Sequence, residues 1–156
     1  MGIISPIILC SRIAIVFSPI GSCLSDLYVM AFTSGQPSAG SDSTYQIHLR
    51  YSGSTQVFAF YNRPGDDLQS NKGDLWHFSI SGCITLSTIS QVSIIADGTD
   101  GWNIGSVVTL VRDSVGRIQV LTRNFGANFW IDTDNGYNRP FILSLSLSDV
   151  GSGTFI

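Results

Sequence analysis

Apolar and polar side chains alternate with a period of two along most of this chain, the mark of strands buried on one face. Tyr45, Ile47, Leu49 and Tyr51 alternate with Gln46, His48, Arg50 and Ser52. The run Val57-Phe58-Ala59-Phe60-Tyr61 follows the turn-prone Ser52-Gly53-Ser54. Trp76, Phe78 and Ile80 alternate with His77, Ser79 and Ser81, and Val92, Ile94 and Ala96 form another set. Val108 and Leu110 pair with Ile118 and Val120 across the turn Asp113-Ser114-Val115-Gly116. Phe141, Leu143, Leu145 and Leu147 alternate with Ser144, Ser146 and Ser148. Segments 35–40, 62–73, 97–101, 124–128 and 132–140, rich in Gly, Asn, Asp and Pro, read as turns. About eight strands with no helical period predict an all-β fold, an antiparallel β-sandwich.

Residues 1–22 read differently. Ile3, Ile4, Ile7, Ile8 and Leu9 lead to Arg12, and the apolar run 13–17 leads to Ser18-Pro19-Ile20-Gly21-Ser22. A bilayer span needs roughly 20 uninterrupted apolar residues, and Pro6, Arg12 and Pro19 interrupt this one. A secretory signal fits better, with Arg12 closing the n-region and cleavage among the small residues near Ser22 to Ser25. The expected organisation is a signal peptide over 1–22, one domain over 23–150 and a short tail over 151–156. An extra hydrophobic strand is the alternative for the first segment. Ile20-Gly21-Ser22-Cys23 also resembles a lipoprotein box, in which Cys23 carries a lipid anchor. N-myristoylation fails, because Pro6 stands where Ser or Thr is required.

Composition narrows the function. The chain of 156 residues has 44% hydrophobic and only 12% charged residues, with 11 acids, all Asp, and no Glu. Scarce Ala, Lys and Met argue against a helical bundle. A net charge of −3 gives sequence-independent nucleic-acid binding no electrostatic source. Two histidines and no Cys-x-x-Cys leave zinc without a ligand set. The three cysteines are Cys10, Cys23 and Cys83. Removal of the leader leaves an even pair, which an oxidising compartment would join as Cys23–Cys83 and a cytosolic protein would keep as two buried thiols.

Several stretches coincide, in order, with one known module. These are Ala39-Gly40-Ser41-Asp42-Ser43, Gly65-Asp66-Asp67-Leu68, Lys72-Gly73-Asp74-Leu75-Trp76-His77-Phe78, Gly101-Trp102-Asn103-Ile104-Gly105 and Phe129-Trp130-Ile131-Asp132. Over about residues 24–148 the chain resembles the PLAT (LH2, lipoxygenase homology) domain, and small secreted PLAT-only proteins above all. Those carry a leader and paired cysteines near the positions of Cys23 and Cys83. The chain departs from the pattern at Ser41, where Thr is usual, at Ile131, where Leu is usual, and at Gln36–Pro37.

Some PLAT domains bind calcium through loops at one end of the sandwich, and the resemblance places Asp42, Asp67, Asp97 and Asp100 in such loops, with Asp97 and Asp100 as the best pair. Calcium takes six to eight oxygens from carboxylates and carbonyls; the competing reading is that Asp is simply a favoured turn former. The resemblance also allows Trp102 at a loop exit to meet lipid headgroups, against ordinary packing on the sheet. Trp76 and Trp130 read as core. Phe58, Phe60 and Tyr61 are denser than one strand face needs, which allows an exposed aromatic patch. No nucleophile motif or phosphate-binding loop supports an enzyme. The expected function is a secreted, non-catalytic module for lipid or membrane surfaces or a protein partner, with calcium as an assisting ion. The alternatives are sugar stacking near Tyr61 and Tyr137, or a structural, stress-associated extracellular protein without a small ligand.

Overall fold

The computed structural model describes residues 21–60, 68–98, 100–131 and 141–143. They form strands β1 (Leu24–Thr33), β2 (Thr44–Tyr51), β3 (Ser54–Ala59), β4 (Gly73–Ser79), β5 (Ile89–Asp97), β6 (Trp102–Asp113), β7 (Ile118–Ile131) and β8 (Phe141–Leu143). A 3-10 turn at Leu86–Thr88 is the one helical element among the described residues. Two four-stranded sheets result, in the orders β4-β1-β6-β7 and β3-β2-β5-β8, and their pairings are antiparallel. The all-β sandwich predicted from the alternation is the fold. The expected leader lies outside the described residues except for Gly21 and Ser22, and the tail over 151–156 lies wholly outside them.

The core lies between the sheets. Leu27, Val29, Ala31, Trp76, Phe78 and Val107 enter it from one sheet, and Tyr45, Ile47, Leu49, Val92 and Ile94 from the other. Aromatic rings fill its middle: Phe60 lies 4.5 Å from Trp76, and Tyr45 meets Trp102 edge-on at 5.0 Å. Phe60 is buried and Phe58 is half-buried, tilted on Phe78 at 5.2 Å. Packing against the facing sheet uses both rings, so they form no exposed aromatic patch; Tyr61 lies outside the described residues.

Three local features differ from the sequence expectation. β1, a central strand, shows no clear alternation because its outward positions Tyr28, Met30 and Phe32 are apolar as well. The segment 124–128 is not a turn but lies within β7. There Ile104 faces Phe129 while Ser106 faces Phe125, so a bulge absorbs the surplus residues opposite Gly105. Gly105 eases this packing, since a Cβ would stand a tight 3.2 Å from the Ser34 backbone. Finally, β3 begins earlier, because Ser52 (φ 43) and Gly53 (φ 79) alone make the β2–β3 hairpin.

The cysteines pair. Cys23 and Cys83 form a disulfide with Cα atoms 4.8 Å apart, joining the entry to β1 with the chain beyond β4. The bond replaces the two-thiol reading, and it occupies the sulfur that a lipid anchor on Cys23 would need. Leu24 N donates to Ile84 O (2.7 Å) and Ile80 N to Ser25 O (2.8 Å), so the backbone closes around the bridge.

Candidate functional site

The antiparallel order gathers at one end of the sandwich the loop 34–43, residues 68–72, and residues 98, 100 and 101. Thr44 faces Asp97 across β2 and β5, and this pair marks the base of that end. The chain folds there because small polar side chains reach neighbouring backbone. The hydroxyls of Ser41 and Tyr45 both donate to the Asp100 carbonyl, at 2.9 and 2.7 Å. Asp100 N donates to Ser43 Oγ (2.8 Å), and Asp42 N donates to Asp100 Oδ2 (2.8 Å). Thr44 Oγ1 donates to the Asp97 carbonyl (2.7 Å), while Gln46 Nε2 reaches Asp97 Oδ2 at 3.2 Å. Gly98 and Gly40 allow the closeness: a Cβ would come within 2.7 Å of Ser43 Oγ and 2.8 Å of the Leu68 carbonyl respectively.

Of the four candidate metal ligands, Asp42 and Asp100 are therefore brought together, in place of the expected pair Asp97 and Asp100. Asp97 is the last residue of β5 rather than a turn residue, and its carboxylate is turned toward Gln46. Asp67 lies outside the described residues. Among the described residues no group of three or more His, Cys, Asp or Glu side chains gathers as a metal would require. One carboxylate oxygen of Asp100 already orders the Asp42 amide, so the described loops supply an exposed pair and nearby carbonyls, short of a full calcium shell.

Trp102 is not at the surface. It is 0% exposed, and its Nε1 donates to Thr33 Oγ1 at 2.9 Å deep between the sheets. The expectation of a lipid-contacting Trp102 is thereby corrected: as the first residue of β6 its ring enters the core, where an indole N–H needs a partner. Next to it, Asn103 is fully buried with neither amide atom hydrogen-bonded.

The opposite end carries a charge cluster that the sequence pattern did not mark. Asp26, buried on β1, lies 2.7 Å from His77 Nε2 and accepts from Arg112 Nε at 2.8 Å and Ser25 Oγ at 2.7 Å. Burial pushes its carboxyl upward, but hydrogen bonds from Ser25, His77 and Arg112 outweigh burial and hold it at about 2. The ring of His77 stacks on Tyr28 at 4.7 Å. Ser25 bonds the carboxylate and not the imidazole, so this Ser, His and Asp stand in the wrong order for nucleophile activation. Nearby, Asp113 caps the β6–β7 turn, accepting from Val115 N and Arg117 N at 3.1 and 2.9 Å and pairing with the Arg117 side chain. Burial again works upward on Asp113, and the bonds from Arg117 and Ser22 bring its carboxyl below the usual range. The register could have exposed the first cluster, since Asp26 faces both Ser79 and Arg112 two positions from the Tyr28–His77 pair. Sequence distance hid it.

No protein-family model and no curated protein matches the sequence. Solved structures match its shape. Alpha toxin from Clostridium absonum aligns over 80% of this chain with a TM-score of 0.67 at 22% identity. Clostridium perfringens alpha-toxin aligns over 82% with a TM-score of 0.68 at 19% identity. A lipoxygenase aligns over 77% with a TM-score of 0.55 at 13% identity. The fold is PLAT-like. This PLAT-like chain spans 32–33% of the two toxins and 16% of the lipoxygenase.

Proposed function

We propose that this chain is a secreted, non-catalytic module that attaches to lipid or membrane surfaces, with calcium assisting at the Asp42–Asp100 loop end. The observation that carries the reading is the shared fold: a toxin and a lipoxygenase, otherwise different in length, each contain it. One lipoxygenase of this group was solved in complex with arachidonate. The disulfide supports an extracellular setting, because such bonds persist in oxidising compartments. Calcium at this end would take the Asp42 and Asp100 carboxylates and loop carbonyls and draw its remaining oxygens from water or a lipid phosphate.

Vesicle co-sedimentation tests the proposal. The chain is expected to pellet with phosphatidylserine-containing vesicles, more strongly with calcium than with a chelator. Asp42→Asn and Asp100→Asn are expected to remove the calcium dependence. Calcium-independent binding refutes the metal part, and no binding under either condition refutes the module.

A further inference from the structure

We infer that Asp97 sets the tautomer of His48 through Gln46, so that a change at the loop end is felt on the outer face of the β3-β2-β5-β8 sheet. This switch needs neither lipid nor calcium, and it stands apart from the module reading above.

The register puts the three side chains on one face. Across β2 and β5, Thr44 faces Asp97, Gln46 faces Ile95 and His48 faces Ser93. Opposed residues of an antiparallel pair project from the same side, and a long side chain also reaches its diagonal neighbour. Gln46 is the diagonal neighbour of Asp97. The contacts then run in a line: Gln46 Nε2 donates to Asp97 Oδ2 at 3.2 Å, and Gln46 Oε1 lies 3.1 Å from His48 Nε2. The alternate residues Tyr45, Ile47 and Leu49 are buried, so the core fixes the strand that carries the line.

Donors and acceptors are then ordered from one end. An ionised carboxylate only accepts, so Gln46 must turn its NH2 toward Asp97. Its carbonyl oxygen, which also only accepts, is left facing His48. Nε2 must therefore carry a proton, and in the neutral ring Nδ1 is bare. Burial disfavours the charged ring and moves the His48 pKa downward, which favours the neutral form and leaves the choice between its two tautomers. Nδ1 makes no hydrogen bond among the described residues, so Gln46 alone of them fixes that choice. Arg50, the next outward residue of β2, has no acceptor to offer a proton on Nδ1.

When a cation or an amine claims the Asp97 carboxylate, Gln46 is released and its amide can turn over. Its NH2 then faces Nε2, and the ring proton moves to Nδ1 through water, with none gained or lost. The row Val57, His48, Ser93 and Ile142 then presents a donor where it had presented an acceptor. Coupling of this kind is reciprocal, so a partner that donates to Nδ1 holds Asp97 toward Gln46.

The test is NMR of the ring nitrogens in the full chain at neutral pH, without calcium or lipid. His77 serves as an internal reference, because its Nε2 lies 2.7 Å from Asp26 Oδ1, away from Asp97. In the parent, His48 is expected to show a protonated Nε2 and a bare Nδ1. Asp97→Ala should raise the share of the Nδ1-protonated form severalfold while His77 stays unchanged. Asp97→Ala/Gln46→Glu should return His48 to the Nε2-protonated form, since a carboxylate at position 46 accepts from that nitrogen directly. A parent with a bare Nε2 overturns the switch, and so does an Asp97→Ala chain whose His48 is still protonated on Nε2 alone. Should Asp97→Ala fail to fold, Gln46→Ala decides: it should release the Nδ1-protonated form as well, and an unchanged His48 overturns the link. A double variant that keeps the mixture of the single one also overturns it, because position 46 would then not govern the ring.

Discussion

At the end of the sandwich where β1 begins, the chain is fastened by a covalent bond and by charge: Cys23–Cys83, Asp26 with Arg112 and His77, and Asp113 with Arg117. At the end where β1 finishes, hydrogen bonds from hydroxyls and amides do the holding, one of them from the Asp42 amide to Asp100 Oδ2, and Asp42 and Asp100 stay exposed. Backbone strain also collects there, with Ser38, Leu68 and Asn71 at φ of 60, 61 and 62. A bulky Leu in that region costs of order 1–3 kcal/mol and persists only where its surroundings impose it; here Asp74 Oδ2 accepts the Leu68 N–H at 3.0 Å. Stability concentrated at one end leaves the other free to carry uncompensated acids and unusual backbone. Contact chemistry belongs where the fold does not depend on it.

Loss of the disulfide is the strongest way to break that contrast. The cysteines are 60 residues apart, and on the chain-entropy estimate Cys23→Ser/Cys83→Ser should cost about 4 kcal/mol in denaturant unfolding. Vesicle binding by the still-folded fraction should persist, because the loop end is remote. If the double variant lost binding with little loss of stability, the division of labour would be wrong. Trp102→Phe comes next, and it probes the buried part of the loop end. It removes the bond to Thr33 Oγ1 and some core volume, for a cost of about 2 kcal/mol by chemical denaturation. A variant of unchanged stability and weakened lipid binding would return Trp102 to the surface role that its burial denies.

How much of this was readable beforehand follows from where each signal is local. β2 and β4 were legible, because Tyr45, Ile47 and Leu49 or Trp76 and Phe78 are apolar inward while Gln46, His48 and His77 are polar outward. β1 was not, since Met30 and Phe32 make its outer positions apolar too. The Gly and Asn residues of 124–128 suggested a turn, yet a bulge uses the same residue types within a strand. Asp42 and Asp100 were legible as loop residues, whereas Asp97 closes β5. Which of them meet was not, because Asp42 and Asp100 are 58 residues apart and are joined by strand register.

Acid titration sharpens the contrast at the charged end. Asp26 is held at about 2, against 3.8 for an unperturbed Asp, so the folded state favours its ionised form. That stability is complete above the unfolded value and is lost as pH falls from about 3.8 through about 2. The loss should be about 1–2 kcal/mol. Asp26→Asn should flatten the acid limb of a stability-versus-pH curve over that interval. An unchanged limb would show that other carboxylates govern acid unfolding.

The smallest expected effect lies at the loop end, with Tyr45→Phe. The ring of Tyr45 is core, but its hydroxyl lies 2.7 Å from the Asp100 carbonyl and 2.8 Å from Ser41 Oγ. Phe preserves the edge-on contact with Trp102 and deletes only that link, so the cost should be about 1 kcal/mol. Ser41 still donates to the same carbonyl, which keeps the loss from growing. The informative readout is local: amide exchange should quicken at Asp42 and Asp100 and stay constant around Cys23 and Asp113. Equal acceleration at both ends would mean that the two ends unfold as one unit, and the contrast between a fastened end and a compliant one would no longer describe this sandwich.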